Sequence, residues 1–397
     1  MKKIILCTFF IFSLPASAIV INEEVFKDNG GDVNNVPQSI KYANNDLREK
    51  SFSNEFLAVG VLPTCTATWI GNDTKGWSYI LTAAHCVSYK DTVNEVWSRF
   101  TSWNGRVIAE GNGYSYVPQE RINGRGASTD IAILQLPTVD ILVDKAGNPV
   151  PKPVLYDGEQ EFGNTVSFVG YGIWGVGFNG SGGYRPENGP RRLYGESIID
   201  SIFEQNRGIG ATYHPTGHSK KWARIASGDS GSAWWQEHKG VNTIIATTNG
   251  GHARMSTGAR VSKYIDWIRS IYTDARLLSN ELLHWGKNFG NGVVGDYYKA
   301  GDPDTGELII YRLDRTNNGF YGYFPKGKQN NYYWTYVGPR NWTRGEKGKI
   351  GDLYLADINR DDVLLRLRSV NASGYYWYYP TEKVNNRNWE FINTLNK

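Results

Sequence analysis

The sequence has few cysteines, little net charge and no long apolar run beyond its start. It contains three cysteines in 397 residues. A membrane-spanning helix needs about 20 consecutive apolar residues, and no segment after residue 18 supplies them, so we expect neither a membrane anchor nor a membrane partner. The net charge of +4 argues neither for nor against nucleic acid. Because no basic run interleaved with aromatic residues occurs, we predict no nucleic-acid partner.

The first 18 residues have the layout of a cleaved secretory signal peptide. A basic start at residues 1–3 is followed by an apolar stretch at 4–14 and by small residues at 15–18. We therefore expect a secreted protein, which passes through the periplasm if the source is Gram-negative. Removal of this segment takes Cys7 with it and leaves Cys65 and Cys86 in the mature chain.

Short apolar runs bounded by glycine and proline dominate the chain up to about residue 260. Hardly any helical period precedes Ser262, and short strands separated by turn residues are typical of an antiparallel β protein. For about 250 residues of this kind, two packed β-barrels with the site between them are the natural architecture. The clearest runs lie at 56–70, 77–81, 106–110, 131–136 and 165–169.

The glycine-rich segment 172–195 invites a comparison with phosphate-binding loops. It lacks the Lys-Ser/Thr ending of such loops, and no helical pattern follows it. We interpret it as a surface loop. The sequence predicts no cofactor and no metal site.

Three short motifs, in the order His, Asp, Ser, carry the chemistry. Residues 81–86 read LTAAHC, residues 129–134 read TDIAIL and residues 228–231 read GDSG. A serine hydroxyl becomes a good nucleophile when an imidazole removes its proton, and a buried carboxylate fixes the tautomer of that imidazole. We predict His85 as the general base, Asp130 as the residue that orients it and Ser230 as the nucleophile.

The backbone N–H groups of Gly228 and Ser230 are predicted to stabilise the oxyanion of the acyl-transfer reaction. Each such donor is often worth about 3 kcal/mol. Glycine suits position 228 because the chain must turn its amide inward with no side chain in the way.

Together with VGYG at 169–172 and the segment 259–268, these motifs resemble the secreted serine endopeptidases of the chymotrypsin/trypsin family. The resemblance covers residues 19–272. It implies an all-β domain at 19–273, made of two antiparallel β-barrels and closed by a C-terminal helix at 259–268. It also implies a protein or peptide substrate and a disulfide between Cys65 and Cys86, with two separate buried thiols as the alternative.

The resemblance assigns Asp229 to the α-amino group of a processed N-terminus. Signal cleavage after Ala18 would expose Ile19 and Val20, which look like the usual mature start of the family. The alternative is a propeptide that is cut near Arg48 or Lys50.

The resemblance also places a primary specificity pocket around Arg224, Thr248, Gly250 and Ser256. Arg224 takes the position six residues before the nucleophile, at the base of the pocket. A guanidinium there disfavours Lys and Arg side chains and could pair with Asp or Glu. In the alternative, Arg224 turns outward or pairs internally, for example with Glu237.

After residue 273 the composition becomes aromatic and a repeat appears. Thirteen of the 25 tyrosines lie beyond residue 275. The pattern Gly-Asp, aromatics, Pro and Trp recurs at an offset of 55 to 56 residues, which predicts a linker at 274–293 and a small β domain at 294–397 with repeats at about 294–338 and 350–393. Each repeat is interpreted as an aromatic β-hairpin module.

The repeats loosely resemble chitin-binding modules of bacterial hydrolases, since exposed aromatic faces stack on sugar rings. A glycan or glycoprotein is therefore a possible partner of the tail. In the alternative, these aromatics form only the cores of small β units.

Two other functions use parts of the same pattern. A non-catalytic glycan-binding adhesin on a protease-like scaffold predicts loss of His85, Asp130 or Ser230, and all three are present. An esterase would normally show a nucleophile elbow and α/β alternation, and neither occurs.

Overall fold

The computed structural model describes most of the chain after the predicted signal peptide. The prediction for residues 1–18 therefore lies outside the described residues. The described residues are 19–35, 45–124, 126–172, 174–177, 192–214, 216, 223–252, 254–284, 292–301, 305–321, 327–341, 347–358, 361–375 and 388–395.

The N-terminal segment enters the body of the protein before the first barrel begins. Strand β1 (Val20–Ile21) is buried and is followed by helix α1 (Glu23–Asp28). The helix begins at Asn22, whose side chain accepts a hydrogen bond from the Glu24 amide at 2.7 Å and satisfies one of the free N–H groups of the first turn. A second helix, α2 (Asn45–Ser51), precedes the first barrel.

The first barrel is closed, with the strand order β2-β3-β4-β7-β6-β5. Its neighbouring strands are antiparallel. A short helix, α3 (Gln119–Asn123), and a 3₁₀ turn at Ala127–Thr129 connect β6 to β7. The strands are β2 (Val59–Val61), β3 (Thr66–Asn72), β4 (Trp77–Thr82), β5 (Val93–Thr101), β6 (Val107–Tyr116) and β7 (Ala132–Pro137).

The second barrel is a nine-stranded sheet with the path β11-β9-β14-β15-β16-β13-β12; off this path, β8 pairs with β15 and β17 pairs with β8. The sheet curls so that β11 approaches β13, where Ser197 Oγ donates to the Thr212 carbonyl oxygen at 3.4 Å. Strand β10 instead pairs in parallel with β1. The strands are β8 (Val154–Leu155), β9 (Thr165–Gly170), β10 (Gly175–Val176), β11 (Leu193–Ile198), β12 (Ser201–Phe203), β13 (Gly208–Thr212), β14 (Ala233–His238), β15 (Val241–His252), β16 (Met255–Arg260) and β17 (Arg276–Leu277).

A closing helix packs where the two barrels meet. The predicted segment 259–268 divides here, because Ala259 and Arg260 end β16 and helix α4 runs over Ile265–Ile271. Ile268 is fully buried, and the core around it combines Leu81 of the first barrel with Ile244 of the second. The predicted all-β fold of two barrels with a closing helix is therefore confirmed. No helix in the described parts of the chain is long and apolar enough to span a bilayer.

A buried arginine joins the second barrel to the segment that leads into the first. Arg192 is 3% exposed and donates hydrogen bonds to the carbonyl oxygens of Ser51, Phe56 and Val59 at 2.6 to 3.0 Å. It also donates to the Tyr171 hydroxyl at 2.8 Å. Because a buried cation is costly unless its donors are satisfied, this set of bonds fixes the course of residues 51–59.

The tail forms two four-stranded sheets with the same strand order. The first comprises β18 (Leu283–His284), β19 (Tyr297–Gly301), β20 (Leu308–Leu313) and β21 (Trp334–Gly338). The second comprises β22 (Arg340–Asn341), β23 (Leu353–Ile358), β24 (Asp361–Leu367) and β25 (Trp389–Leu395). In each sheet a two-residue parallel strand joins three antiparallel ones. Each repeat is thus larger than the predicted hairpin, and the first sheet begins inside the segment 274–293 predicted as a linker.

The two sheets share one core. Ile310 and Val337 from the first sheet pack with Leu353, Leu364 and Ile392 from the second. The first sheet also contacts the protease domain, where Lys239 forms an ion pair with Asp296. The repeats therefore form one packed unit rather than two separate modules.

Candidate active site

The first barrel presents a histidine and a buried carboxylate in direct contact. His85 lies in a 3₁₀ turn, Ala84–Cys86, directly after β4, and Asp130 lies just before β7. His85 Nδ1 is 2.6 Å from Asp130 Oδ2, and the His85 backbone N–H donates to Asp130 Oδ1 at 2.9 Å. The Asp130 side chain is 8% exposed and that of His85 is 38% exposed. A histidine held at Nδ1 in this way keeps Nε2 for proton transfer.

A disulfide anchors the turn that carries His85. Cys65 and Cys86 are bonded, with their Cα atoms 6.0 Å apart, and they join the start of β3 to the residue after His85. The predicted disulfide is confirmed. Since both sulfurs are bonded to each other, the group Cys65, His85 and Cys86, whose ligand atoms lie within 4.8 Å of one another, has no thiolate for a metal ion.

The predicted nucleophile lies on a tight turn of the second barrel. Gly228 and Gly231 have φ values of +95° and +82°, which L residues with a side chain rarely adopt. A Cβ atom at Gly231 would lie 2.1 Å from Thr82 Oγ1. This turn therefore fits against the end of β4, three residues before His85, only with glycine there.

The backbone around Ser230 is oriented by the first barrel. Thr66 Oγ1 donates to the Gly228 carbonyl oxygen at 2.8 Å. Within the described residues, neither the Gly228 N–H nor the Ser230 N–H donates a hydrogen bond, whereas the Asp229, Gly231 and Ser232 amides all do. Two uncommitted amides beside a serine are the donor arrangement that an oxyanion requires.

Ser230 and His85 form no hydrogen bond with each other in the described structure. Such bonds are often long in enzymes without substrate and tighten in the substrate complex. The structure brings both residues to the junction of the two barrels through the contact between Gly231 and Thr82.

A positively charged side chain, which the sequence patterns did not predict, also contacts the carboxylate. Arg121 from α3 lies with Nη2 3.2 Å from Asp130 Oδ1, and both side chains are nearly buried. Its Nε donates to the Tyr89 hydroxyl at 2.8 Å, and Nη1 donates to the Gly126 carbonyl oxygen at 3.2 Å. No motif marks this arginine, because its role depends on how α3 packs beside Asp130.

The predicted acceptor of the N-terminus is completely buried. Asp229 accepts hydrogen bonds from the Ala226 and Gly172 amides at 3.0 and 3.2 Å. Burial raises the pKa of Asp229 to about 8. Ile19 is also fully buried, and Val20 exchanges backbone hydrogen bonds of 2.8 and 2.9 Å with Arg224. Ile19 and Val20 are therefore held beside Arg224 of the predicted specificity pocket.

The four predicted pocket residues occupy different environments. Arg224 is buried, its Nη1 donates to the Ile225 carbonyl oxygen at 3.3 Å, and its guanidinium carbon lies 5.5 Å from the centroid of the Tyr213 ring. Burial lowers the pKa of Arg224, against the opposing effects of Tyr213 and Asp229. Glu237 is exposed and forms no ion pair with Arg224.

The other three predicted pocket residues are Thr248, Gly250 and Ser256, and their surroundings differ. Ser256 Oγ accepts a hydrogen bond from the Ile225 amide at 2.9 Å. A Cβ atom at Gly250 would meet nothing within 4 Å. The Thr248 hydroxyl is 2.7 Å from Ser232 Oγ and accepts from Trp234 Nε1 at 2.8 Å, so this side chain serves the core of the second barrel.

Asn249 connects the two barrels beside Asp130. It lies at the irregularity in β15 between Thr248 and Gly250. Its Nδ2 donates to the Ala127 carbonyl oxygen, and its Oδ1 accepts from Thr257 Oγ1 at 2.6 Å. The turn that precedes Asp130 is therefore fastened to the second barrel.

His238, in the second barrel, is a structural histidine. His238 stacks on Tyr156 with ring centroids 3.8 Å apart, and its Nε2 lies 2.7 Å from Gln236 Oε1. Burial lowers the pKa of His238 to about 4. This residue stays neutral at physiological pH and takes no part in the site around His85.

A comparison with family models identifies the same part of the chain. Residues 51–268 match the family model described as Trypsin. No curated protein matches the chain. A solved structure described as a Glu endopeptidase in complex with MPD is similar to it, with a TM-score of 0.36 and 17% sequence identity over 56% of this chain and 94% of that one.

Proposed function

Because this chain belongs to the trypsin family and carries a trypsin-like serine protease domain, we propose that it is a secreted endopeptidase that cleaves peptide bonds through an acyl-enzyme on Ser230. His85 takes the proton of the Ser230 hydroxyl and returns it to the leaving amine, while Asp130 holds the imidazole. The Gly228 and Ser230 amides stabilise the tetrahedral oxyanion.

The 2.6 Å contact between His85 Nδ1 and Asp130 Oδ2 carries this proposal. The histidine and the buried carboxylate come from distant parts of the first barrel, and the turn of Ser230 packs against the strand that leads into His85. A glycan-binding adhesin on a degenerate scaffold would have no need to retain this arrangement.

Alanine at position 230 tests the proposed activity. Ser230→Ala should reduce hydrolysis of a casein or peptide substrate by at least about 10⁴-fold, because the remaining oxyanion donors and binding contacts cannot replace the nucleophile. Ser227→Ala is the matched control, since Ser227 is exposed on the same turn. Undiminished turnover by the Ser230→Ala variant would exclude the proposed mechanism.

We further propose that removal of the signal peptide itself creates the activating N-terminus at Ile19. The support is the burial of Ile19, the pairing of Val20 with Arg224 and a buried Asp229 carboxyl that needs a cation to ionise. In the alternative, a cut near Arg48 or Lys50 would fall within α2, where Lys50 forms an ion pair with Glu196 at 2.8 Å.

We propose that the enzyme rejects Lys and Arg before the cleaved bond and accepts Asp or Glu there. The support is the buried guanidinium of Arg224 at the position that the resemblance assigns to the base of the pocket. The Arg224 guanidinium would repel a Lys or Arg side chain of the substrate in this region of low dielectric constant. A substrate Asp or Glu carboxylate could instead accept a charge-assisted hydrogen bond from it.

A peptide series with Glu, Phe or Arg before the cleaved bond tests this preference. The Glu peptide should be cleaved at least about 100-fold faster than the Arg peptide, a difference of about 2.7 kcal/mol. Arg224→Met should reduce the preference for Glu most strongly, while the exposed-site variant Arg99→Met should leave it intact. Rapid cleavage after Arg by the parent enzyme would contradict the proposal.

We propose that the tail binds a glycan or glycoprotein and holds the protease near its substrate. The described aromatics are mostly core residues, since Trp334 and Trp389 are fully buried. The support therefore comes from Phe320 and Tyr332, which are 55% and 67% exposed. The Arg315 guanidinium carbon lies 4.6 Å from the centroid of the Tyr332 ring, so the other face of this ring is the one offered for stacking on a sugar.

Retention of the full-length Ser230→Ala chain on chitin and mucin supports tests the tail. The chain should be retained on one support, and Tyr332→Ala should weaken retention by about tenfold, as expected for loss of a stacking contact worth roughly 1 to 1.5 kcal/mol. Val293→Ala removes an apolar side chain that is 57% exposed in the segment before β19, and it is the control. Passage of the parent chain through both supports would contradict the proposal.

A further inference from the structure

The environment of Asp130 contains a cation that the proposed proton transfer does not use. Asp130 Oδ2 faces His85 Nδ1, and Oδ1 accepts the His85 N–H. The remaining position at Oδ1 is taken by Arg121 at 3.2 Å. Histidine and arginine thus contact the same carboxylate from two sides.

Contacts with groups other than Asp130 also hold the Arg121 side chain in place. Its side chain is 9% exposed. Tyr89 accepts a hydrogen bond from Nε, and its ring centroid lies 5.7 Å from the guanidinium carbon. The Gly126 carbonyl oxygen accepts from Nη1. The three nitrogens therefore have three separate acceptors, which fixes the plane of the guanidinium.

The helix that carries Arg121 is itself fastened to the second barrel. Glu120 forms an ion pair with Arg207 at 3.3 Å. On the other side of Asp130, the Ser128 amide donates to Glu204 and the Ser128 carbonyl oxygen accepts from Tyr264. The hydrogen bond from Ser128 lowers the pKa of Glu204, which keeps this carboxylate charged.

Arg121 brings a positive charge next to the contact between His85 and Asp130. Within the described residues, it is the only cation in contact with Asp130. A positive charge beside the carboxylate stabilises its ionised form and opposes a second positive charge on the neighbouring imidazole. The other ionisable groups on the elements packed around Asp130 are Tyr89, Glu120, Glu204, Arg207 and Tyr264.

We infer that Arg121 is a positioning residue of the proposed active site, which holds the Asp130 carboxylate toward His85 and places a fixed positive charge beside the His85–Asp130 pair. This inference rests on the proposed protease function. It predicts that the enzyme retains activity at lower pH than it would without this arginine.

Neutralising Arg121 tests the inference through the pH dependence of kcat/KM for a peptide substrate. Arg121→Met should move the acid limb of the profile to higher pH by about one unit, the lower end of the effect that one neighbouring charge has on a pKa. Arg121→Lys keeps the charge and should leave the limb within about 0.3 unit of the parent, even though a single ammonium cannot reproduce the three-nitrogen contact.

Arg207→Met is the matched control. It removes the same charge and releases the same helix through Glu120, yet Arg207 does not contact Asp130. The acid limb of this variant should stay in place. Arg121→Gln is measured in parallel, so that a folding defect of the methionine variant does not decide the result.

A second readout needs no activity and so separates this inference from the proposed function. In the Ser230→Ala chain, the pH midpoint of the His85 ring resonances in NMR spectra should rise by about the same unit in Arg121→Met and should not move in Arg207→Met. An unchanged midpoint in both Arg121→Met and Arg121→Gln, or an equal shift in Arg207→Met, would overturn the inference. Loss of kcat/KM without any pH shift would reduce Arg121 to a packing role and would overturn it too.

Discussion

Replacing Asp130 with Asn is expected to lower kcat by about 10⁴-fold at neutral pH. The NH2 group of the asparagine can donate to His85 Nδ1, so the imidazole favours the tautomer protonated at Nε2, which cannot take a proton from Ser230. The substitution also leaves Arg121 beside a neutral group, which adds an uncompensated buried charge.

Steady-state kinetics on a peptide substrate measure this effect, with KM determined separately from kcat. Asp140→Asn is the control, because Asp140 is an acid of the same barrel that pairs with Arg106 near the surface. Thermal unfolding of each variant shows whether the fold persists. A kcat within tenfold of the parent in a folded Asp130→Asn variant would contradict the assigned role of Asp130.

Adding one residue before Ile19 is expected to lower kcat/KM by about 10² to 10³-fold. An added residue removes the α-amino cation from the position where it would pair with Asp229, and breaking a buried pair costs about 3 to 5 kcal/mol. Asp229→Asn should cause a loss of similar size. The two changes together should cost little more than either alone, because both remove the same ion pair.

The matched control for this pair of changes is Glu24→Gln, which removes an exposed carboxylate from the same N-terminal segment. N-terminal sequencing of the secreted enzyme gives an independent result. Full activity of the extended chain, or a mature start at residue 49 or 51, would contradict activation by signal cleavage.

The raised pKa of Asp229 also implies that the free energy of unfolding changes with pH in a defined direction. Burial raises the pKa of Asp229 from 3.8 to about 8, so without a cation the folded chain binds this proton more tightly than the unfolded chain does. The extended chain should therefore lose stability as the pH rises from about 4 to about 8. A free Ile19 ammonium favours the carboxylate and should reduce this loss, which Tm measurements across that range on the Ser230→Ala background would show.

The architecture was predictable because it rests on strong local signals, and the disulfide was predictable because the family resemblance implied it. Short apolar runs with glycine turns indicated antiparallel strands, and the two-barrel fold is confirmed. The pairing of Cys65 with Cys86 is confirmed as well. The motifs around His85, Asp130 and Ser230 identified candidate residues, and their catalytic roles stay predictions that the kinetics above test.

The arrangement around these residues was less predictable because it depends on packing between distant segments. Arg121 reads as one charge in a short polar stretch, and its contact with Asp130 follows only from the fold of α3. Arg192 likewise has no sequence signal, since its backbone acceptors lie more than 130 residues away. In the tail, the two-residue strands β18 and β22 are too short to show a period, so the sequence pattern predicts hairpins where the structure has four-stranded sheets.

Labelling with an organophosphonate tests the central claim most directly, because this reagent forms a covalent bond only with an activated serine. Mass spectrometry of the digested parent enzyme should place one phosphonyl group on Ser230, with loss of activity in proportion to labelling. The Ser230→Ala and His85→Ala variants should remain unlabelled. Labelling at another residue, or an unlabelled parent that still hydrolyses peptides, would contradict the account.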